Sequence, residues 1–120
     1  MNTIEVLKMY LDDHFIQHSD VRPYYTKTSY ENADNCINVL LKHKSISDGI
    51  SIILGYAILK VNKTVVTGNM ASRQKSYSEV NENPMFSVDI SDPQSLEKIR
   101  LWLRQQEAIK RHALPTWIPL

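Results

Sequence analysis

The densest run of apolar residues in the chain covers residues 50–67, ISIILGYAILKVNKTVVT. With a period of two, apolar side chains fall on both faces of residues 50–61, which is typical of a strand that is covered on both sides or central in its sheet. The polar pair Asn62-Lys63 interrupts the run before the β-branched residues 64–67, as a hairpin turn does. The pattern predicts a long strand, a tight turn and a shorter partner strand at the centre of the core.

The same run has an alternative interpretation as a buried helix over residues 49–61, with Asp48 as its N-cap. Periodicity does not separate a strand from a helix when both faces are apolar. Composition favours the strand, because three of the residues 50–54 are isoleucine and a second β-branched run follows.

Two helices are predicted before this hairpin. The first covers residues 3–18. A three- and four-residue spacing there places five side chains on one helix face: Ile4, Leu7, Leu11, Phe15 and His18. The second begins at Thr28, because Thr28 as N-cap and Glu31 three residues later form a capping box. It is expected to end after Lys44 and to bury Tyr30, Ala33, Ile37, Leu40 and Leu41, with Cys36 at the edge of that stripe.

The second half of the chain predicts a loop, a strand and a third helix. Residues 69–84 have little apolar content and no sustained period, which predicts a functional loop, a mobile loop or an edge strand over residues 77–80. Alternation over residues 85–91 predicts a strand with one solvent-exposed face. Asp92 as N-cap and Pro93 as first helical residue begin the helix, which ends near His112. Its predicted buried side consists of Leu96, Ile99, Trp102, Leu103 and Ile109.

Together these elements predict a single α+β domain over residues 1–120, in the order α-α-β-β-loop-β-α. An antiparallel sheet of three or more strands is expected, with the helices packed mainly on one face. Residues 114–120 form an extended apolar tail, because two prolines exclude a helix there. We expect the tail to dock on its own domain through Trp117, with docking on a partner protein as the alternative.

Composition narrows the classes of protein. Apolar residues make up 42% and charged residues 22%, which is ordinary for a globular domain. The net charge is +1, so no overall field favours nucleic acid or an anionic membrane as a partner. Charged residues interrupt the first sixteen residues, so these lack the unbroken apolar segment of a signal peptide. Residues 50–59 are too few to span a bilayer. One cysteine allows no internal disulfide, and a cytoplasmic location is expected.

The sequence carries no pattern that assigns catalysis, a metal or a cofactor. Cys36 is the sole thiol, and His43 would lie about 10.5 Å further along a helix, beyond proton-transfer reach. Cys36 is therefore interpreted as a small buried hydrophobe. His14 and His18 share a helix face, but zinc needs a third ligand that the sequence does not supply. No phosphate-binding or nucleophile motif occurs.

One candidate surface for a partner protein lies on the first and third helices. Its residues are Met9, Ile16, Arg100, Arg104 and Arg111. The two apolar residues lie off the buried stripe of the first helix and suggest a two-fold homodimer. The arginines share one solvent-facing stripe, which suits contact with phosphates or with an acidic protein. Glu97 and Glu107 share that stripe and are expected to pair with Arg100 and Arg111, which also fits a simple solvated face.

A second candidate surface is the loop over residues 72–78, SRQKSYS. Arg73, Lys75 and Tyr77 combine two cations with an aromatic ring, a mixture suited to a small anionic ligand such as a nucleotide. A plain polar loop fits the same residues.

The function that these patterns favour is non-enzymatic. A chain with one core, no catalytic motif and surplus apolar surface is typical of a small intracellular protein that binds another macromolecule, most often a protein. Inhibitors, immunity proteins and phage counter-defence factors are of this kind. The alternatives are a binder of a small anionic ligand and a small enzyme whose site is assembled from distant residues.

Overall fold

The computed structural model describes five stretches of the chain, residues 2–17, 24–27, 35–44, 51–71 and 83–114. Within these stretches lie two helices and five strands: α1 (Thr3–Gln17), β1 (Tyr24–Lys27), β2 (Cys36–Lys44), β3 (Ser51–Asn62), β4 (Val65–Ala71), β5 (Phe86–Asp89) and α2 (Ser95–His112). All neighbouring strands are antiparallel, and they lie in the sheet in their order along the chain. The predicted α+β class and antiparallel sheet of at least three strands are confirmed.

The predicted central hairpin is present as β3 and β4. Its two-residue connection is Lys63-Thr64, one position later than predicted, since Asn62 still pairs with Val65. Lys63 adopts a positive φ of 57°, which lets the chain reverse so tightly. The alternative interpretation of a buried helix is wrong, because β3 pairs with a neighbour on each side.

The predicted second helix is wrong where the structure describes it, because residues 36–44 form β2. Nine residues of β2 pair with β3, and four pair with β1. Ile37 and Leu41 would share a helix face and also share a strand face, so periodicity alone misled the prediction. Hydrogen bonds to two neighbouring strands then outweigh local helix propensity. The capping box at Thr28 and Glu31 lies outside the described residues.

The core joins both helices to one face of the sheet. Its buried members are Ile4, Leu7 and Leu11 from α1, Ile99, Trp102 and Leu103 from α2, and Ile37, Val39, Leu41, Leu54, Ala57, Leu59, Val61, Val66 and Val88 from the strands. Trp102 lies over Gly68 of β4, where a methyl group would approach its indole to 2.8 Å. Phe86 of β5 stacks on the same indole, with ring centroids 5.3 Å apart. The missing side chain at Gly68 therefore makes room for the largest residue of the core.

The start of α2 differs from the prediction. The helix begins at Ser95, after Gln94, and has no side-chain cap. The Asp92 carboxylate instead accepts hydrogen bonds from Lys98 Nζ at 2.7 Å and from the Gln94 backbone N–H at 2.8 Å. These two bonds lower the pKa of Asp92. Ile109 was predicted to be buried, which is wrong: it is half exposed, because Gln106 and Glu107 occupy the buried side of the last turns.

The remaining predictions of elements fall partly outside the described residues. The predicted third strand is confirmed as β5. Residues 69–71 of the predicted loop belong to β4, while residues 72–82 lie outside the described part. In the tail, Leu114 packs half-buried against the core, and residues 115–120 lie outside. Neither α1 nor α2 has the length and apolar content needed to cross a membrane.

Candidate functional site

The solvent side of α2 presents three arginines and one leucine. Helix geometry places Arg100, Leu101, Arg104 and Arg111 within about 100° of arc, and we call them the arginine face. Arg100 Nε donates to Glu97 at 3.0 Å. The Tyr10 hydroxyl lies beside this pair, and its pKa is raised by burial and by the charge of Glu97. α1 therefore approaches α2 along the edge of the arginine face.

The second ion pair of this helix has one buried partner. Arg111 Nη1 lies 3.3 Å from Glu107 Oε1, and the Glu107 residue is only 6% exposed. That distance suits an ion pair, but Oε1 has no aligned hydrogen bond. The predicted pairing of Glu97 and Glu107 with Arg100 and Arg111 is thus observed. One consequence is that Arg111 faces partly inward, toward the buried carboxylate.

Apolar and positive surface coincide on α2. Leu101 is 52% exposed at the centre of the solvent side. The helix carries five basic and two acidic side chains, a surplus of three positive charges in a chain whose net charge is +1. On α1, Met9 is also half exposed, while the Ile16 side chain lies outside the described part. The structure thus places Met9 and the three arginines on the helical layer, as the sequence predicts.

The opposite face of the sheet carries a second set of side chains, which sequence reasoning missed. The strand register puts Asn38 of β2 opposite Ile58 of β3, and Ile58 opposite Asn69 of β4. Cys36 lies two residues from Asn38 and opposite Lys60. We call these five residues the asparagine face. Alternation along β2 separates Asn38 from the core residues Ile37 and Val39, so it points away from the helices.

Asn38 is the unusual member of this set. It is 1% exposed, and neither its Oδ1 nor its Nδ2 has a hydrogen-bond partner. A buried polar group left without a partner costs about 1–3 kcal/mol. Asn69, by contrast, accepts a hydrogen bond from the Met85 backbone N–H at 3.2 Å. The sequence signal that could have located Asn38 is the alternation of β-branched Ile37 and Val39 on either side of it.

Cys36 is not activated as a nucleophile. The residue is fully buried, and burial raises the pKa of its thiol to about 11, although nearby Lys60 acts in the opposite direction. The thiol is therefore protonated at neutral pH. His43 lies seven residues away on the same strand, about 23 Å at the rise of an extended chain. The two side chains are therefore too far apart to interact, and the separation is larger than the 10.5 Å expected on a helix.

A cleft of about 410 Å³ lies between the start of α1 and the β3–β4 turn. Two of its polar side chains are engaged within the fold: Asn2 Oδ1 accepts from the Glu5 backbone N–H at 3.0 Å, and Thr3 Oγ1 donates to the Lys63 carbonyl at 3.0 Å.

The other predicted site residues lie outside the described part of the chain. They are Arg73, Lys75 and Tyr77 of the loop, together with the side chains of His14 and His18. Among the described residues, no three histidine, cysteine, aspartate or glutamate side chains lie close enough to hold a metal ion. Ligand binding by the loop stays a prediction.

Comparison with models of protein families, with curated proteins and with solved structures gave no significant match. Any inference about function therefore depends on the structural features described above.

Proposed function

We propose that this protein acts by binding another protein through the arginine face. The observation that carries the proposal is Leu101, which is 52% exposed at one edge of that face, about 60° around the helix from Arg104. Arginine is enriched at protein interfaces, and an exposed large apolar side chain beside arginines combines the two kinds of residue that interfaces use most. Inhibitors and immunity proteins act in this way.

The charge of α2 indicates the chemistry of the partner. Five basic side chains against two acidic ones favour an acidic surface, which would be drawn to the helix over a distance set by the salt concentration. Glu97 holds Arg100 in place before binding, which limits the side-chain entropy lost in the complex. Location in a reducing compartment is part of the same proposal and is supported by the single cysteine.

The test compares two leucine-sized positions on one helix. Leu101→Glu places a negative charge inside the arginine face, whereas Ile109→Glu makes the same kind of change at an equally exposed residue outside it. Each full-length protein is expressed in its host, cross-linked in the cell and purified, and the attached proteins are quantified. We expect the wild type and the Ile109→Glu control to retain one acidic partner, and Leu101→Glu to lose about tenfold or more of it.

Recovery of the same proteins at the same level by all three chains would refute the proposal. Arg104→Glu tests whether positive charge on the arginine face contributes to binding. It should weaken capture of the partner most at low salt, where charges are least screened.

A homodimer through α1 is a separate prediction. Met9 is half exposed on that helix, as a shared surface requires. Light scattering at micromolar concentration should give twice the mass of one chain, and Met9→Glu should restore the monomer. A monomeric wild type would contradict the prediction.

A further inference from the structure

We propose that the cleft between the start of α1 and the β3–β4 turn binds a small phosphate monoester whose organic part carries hydroxyl groups, such as a phosphorylated sugar. The cleft has a volume of about 410 Å³. Sites for small ligands usually have volumes of about 300–1,000 Å³. The inference is independent of the arginine face, because none of the described residues that line the cleft belongs to α2.

Two lysines from separate elements give the cleft its charge. Lys8 lines it from α1 and is half-buried, and Lys63 lines it from the turn. Lysine binds phosphate as a point charge, and a phosphate monoester carries about 1.5–2 negative charges at pH 7. Two ammonium groups therefore match a phosphate monoester better than a singly charged carboxylate. Glu5 is the one acidic residue among the described lining residues, and its charge disfavours a polyphosphate or a nucleic acid.

The backbone of Lys63 supports a binding role for its side chain. Its φ of 57° lies in the left-handed region, which glycine and asparagine adopt most readily in a two-residue hairpin connection. A lysine in this conformation is strained, and such strain is concentrated at functional sites. Among the described residues, no carboxylate forms an ion pair with its ammonium group. The turn thus places an unneutralised positive charge at the cleft where a glycine would be more stable.

The two walls of the cleft are joined before any ligand binds. Thr3 Oγ1 donates to the Lys63 carbonyl at 3.0 Å, so the start of α1 and the turn separate only if this hydrogen bond breaks. Lys8 lies five residues beyond Thr3, about 7.5 Å along the helix axis. The two lysines therefore approach the cleft from fixed positions, which limits the entropy lost when an anion binds between them.

The remaining lining residues indicate the organic part of the ligand. Ile4 and Val61 are each 8% exposed and supply a small apolar surface for carbon atoms. The Asn35 amide offers a donor and an acceptor, and the Glu5 carboxylate accepts from hydroxyl groups. A phosphorylated sugar or polyol uses all of these groups, whereas inorganic phosphate uses the lysines alone.

The primary experiment titrates the unmodified full chain with ribose 5-phosphate, glycerol 3-phosphate, inorganic phosphate and ribose. Nitrogen-15 NMR follows the backbone amides of Thr3, Lys8 and Lys63, and that of Arg104 as a reporter on α2. We expect saturable shifts of the three cleft amides with both esters, weaker binding of inorganic phosphate and no binding of ribose. Equal affinity for inorganic phosphate would overturn the assignment of an ester. The site itself is wrong if the cleft amides do not shift, or if Arg104 shifts to the same extent with the same midpoint.

Two lysine variants and a matched control test the charge of the cleft. Lys63→Gly removes the side chain and relieves the left-handed backbone, so ester affinity should fall at least tenfold while the unliganded melting temperature stays the same or rises. Lys8→Gln should lower the affinity to a similar extent. Lys110→Gln removes the same charge from α2, outside the cleft, and should leave the affinity unchanged. Ester affinity that survives both cleft substitutions, or that falls equally in Lys110→Gln, would overturn the proposal.

Discussion

The contact between Gly68 and Trp102 supplies the sharpest test of the packing. In Gly68→Ala the new methyl group would lie 2.8 Å from Cη2 and Cζ3 of the indole. Carbon atoms in contact normally lie about 3.5–4.0 Å apart, so the ring must move by roughly 1 Å. Phe86 stacks on that ring and opposes the movement. Overpacking of this kind costs about 1–3 kcal/mol.

The expected loss in the free energy of unfolding is measured by urea unfolding, monitored by circular dichroism. In a domain of this size, each kcal/mol corresponds to a fall in melting temperature of roughly 3–5 °C. The matched control is Trp102→Leu, which is destabilising in itself but removes the ring. In the Trp102→Leu background, Gly68→Ala should cost almost nothing, so the double-mutant cycle should show a coupling of about 1 kcal/mol or more. An alanine at residue 68 that leaves the wild-type background equally stable would refute the packing of Trp102 over β4.

Three further predictions concern buried or docked groups. Burial raises the pKa of Cys36 to about 11 from an ordinary value near 9. The contribution of this thiol to the free energy of unfolding should therefore be constant below pH 9 and fall by up to about 3 kcal/mol toward pH 11. In pH-dependent urea melts, the loss of stability between pH 9 and pH 11 should be smaller by that amount in Cys36→Ala than in the wild type. Arg111→Ala should destabilise the protein by about 1–3 kcal/mol, because it leaves the buried Glu107 carboxylate without its counter-ion. The same substitution in a Glu107→Gln background should cost less, and equal costs in the two backgrounds would contradict the pairing. If Trp117 packs on its own domain, truncation after Ala113 should lower the free energy of unfolding by several kcal/mol, because burying a large apolar side chain contributes about 1.5–3 kcal/mol. An unchanged urea midpoint would show that Trp117 does not stabilise the fold.

The sequence predicts those elements in which the local pattern or composition favours the structure that forms. Alternation identifies β5, the apolar spacing identifies α1 and α2, and the density of β-branched residues identifies the β3–β4 hairpin. In each of these the local pattern and the tertiary contacts agree.

β2 could not be predicted in the same way. Its apolar run satisfies the helical period as well as the strand period, and the decision comes from pairing with β3, which no local window contains. This error also hid the asparagine face. On a helix Asn38 would fall away from the buried stripe, and only the register of three strands aligns it with Ile58 and Asn69. The arginine face, by contrast, depends on spacing within one helix, so the sequence locates it.

The sequential order of the sheet has a consequence for how the chain folds. Each strand pairs only with its neighbours along the chain, from β1 through β5. No strand pairing in this sheet therefore joins segments from opposite ends of the protein. The β3–β4 hairpin needs the closure of a two-residue connection alone, and it supplies both edges on which β2 and β5 can add. Local pairing of this kind keeps contact order low and shortens folding times compared with sheets that cross over. We therefore expect the transition state for folding to be structured around Lys63-Thr64 and disordered at the edge strand β1.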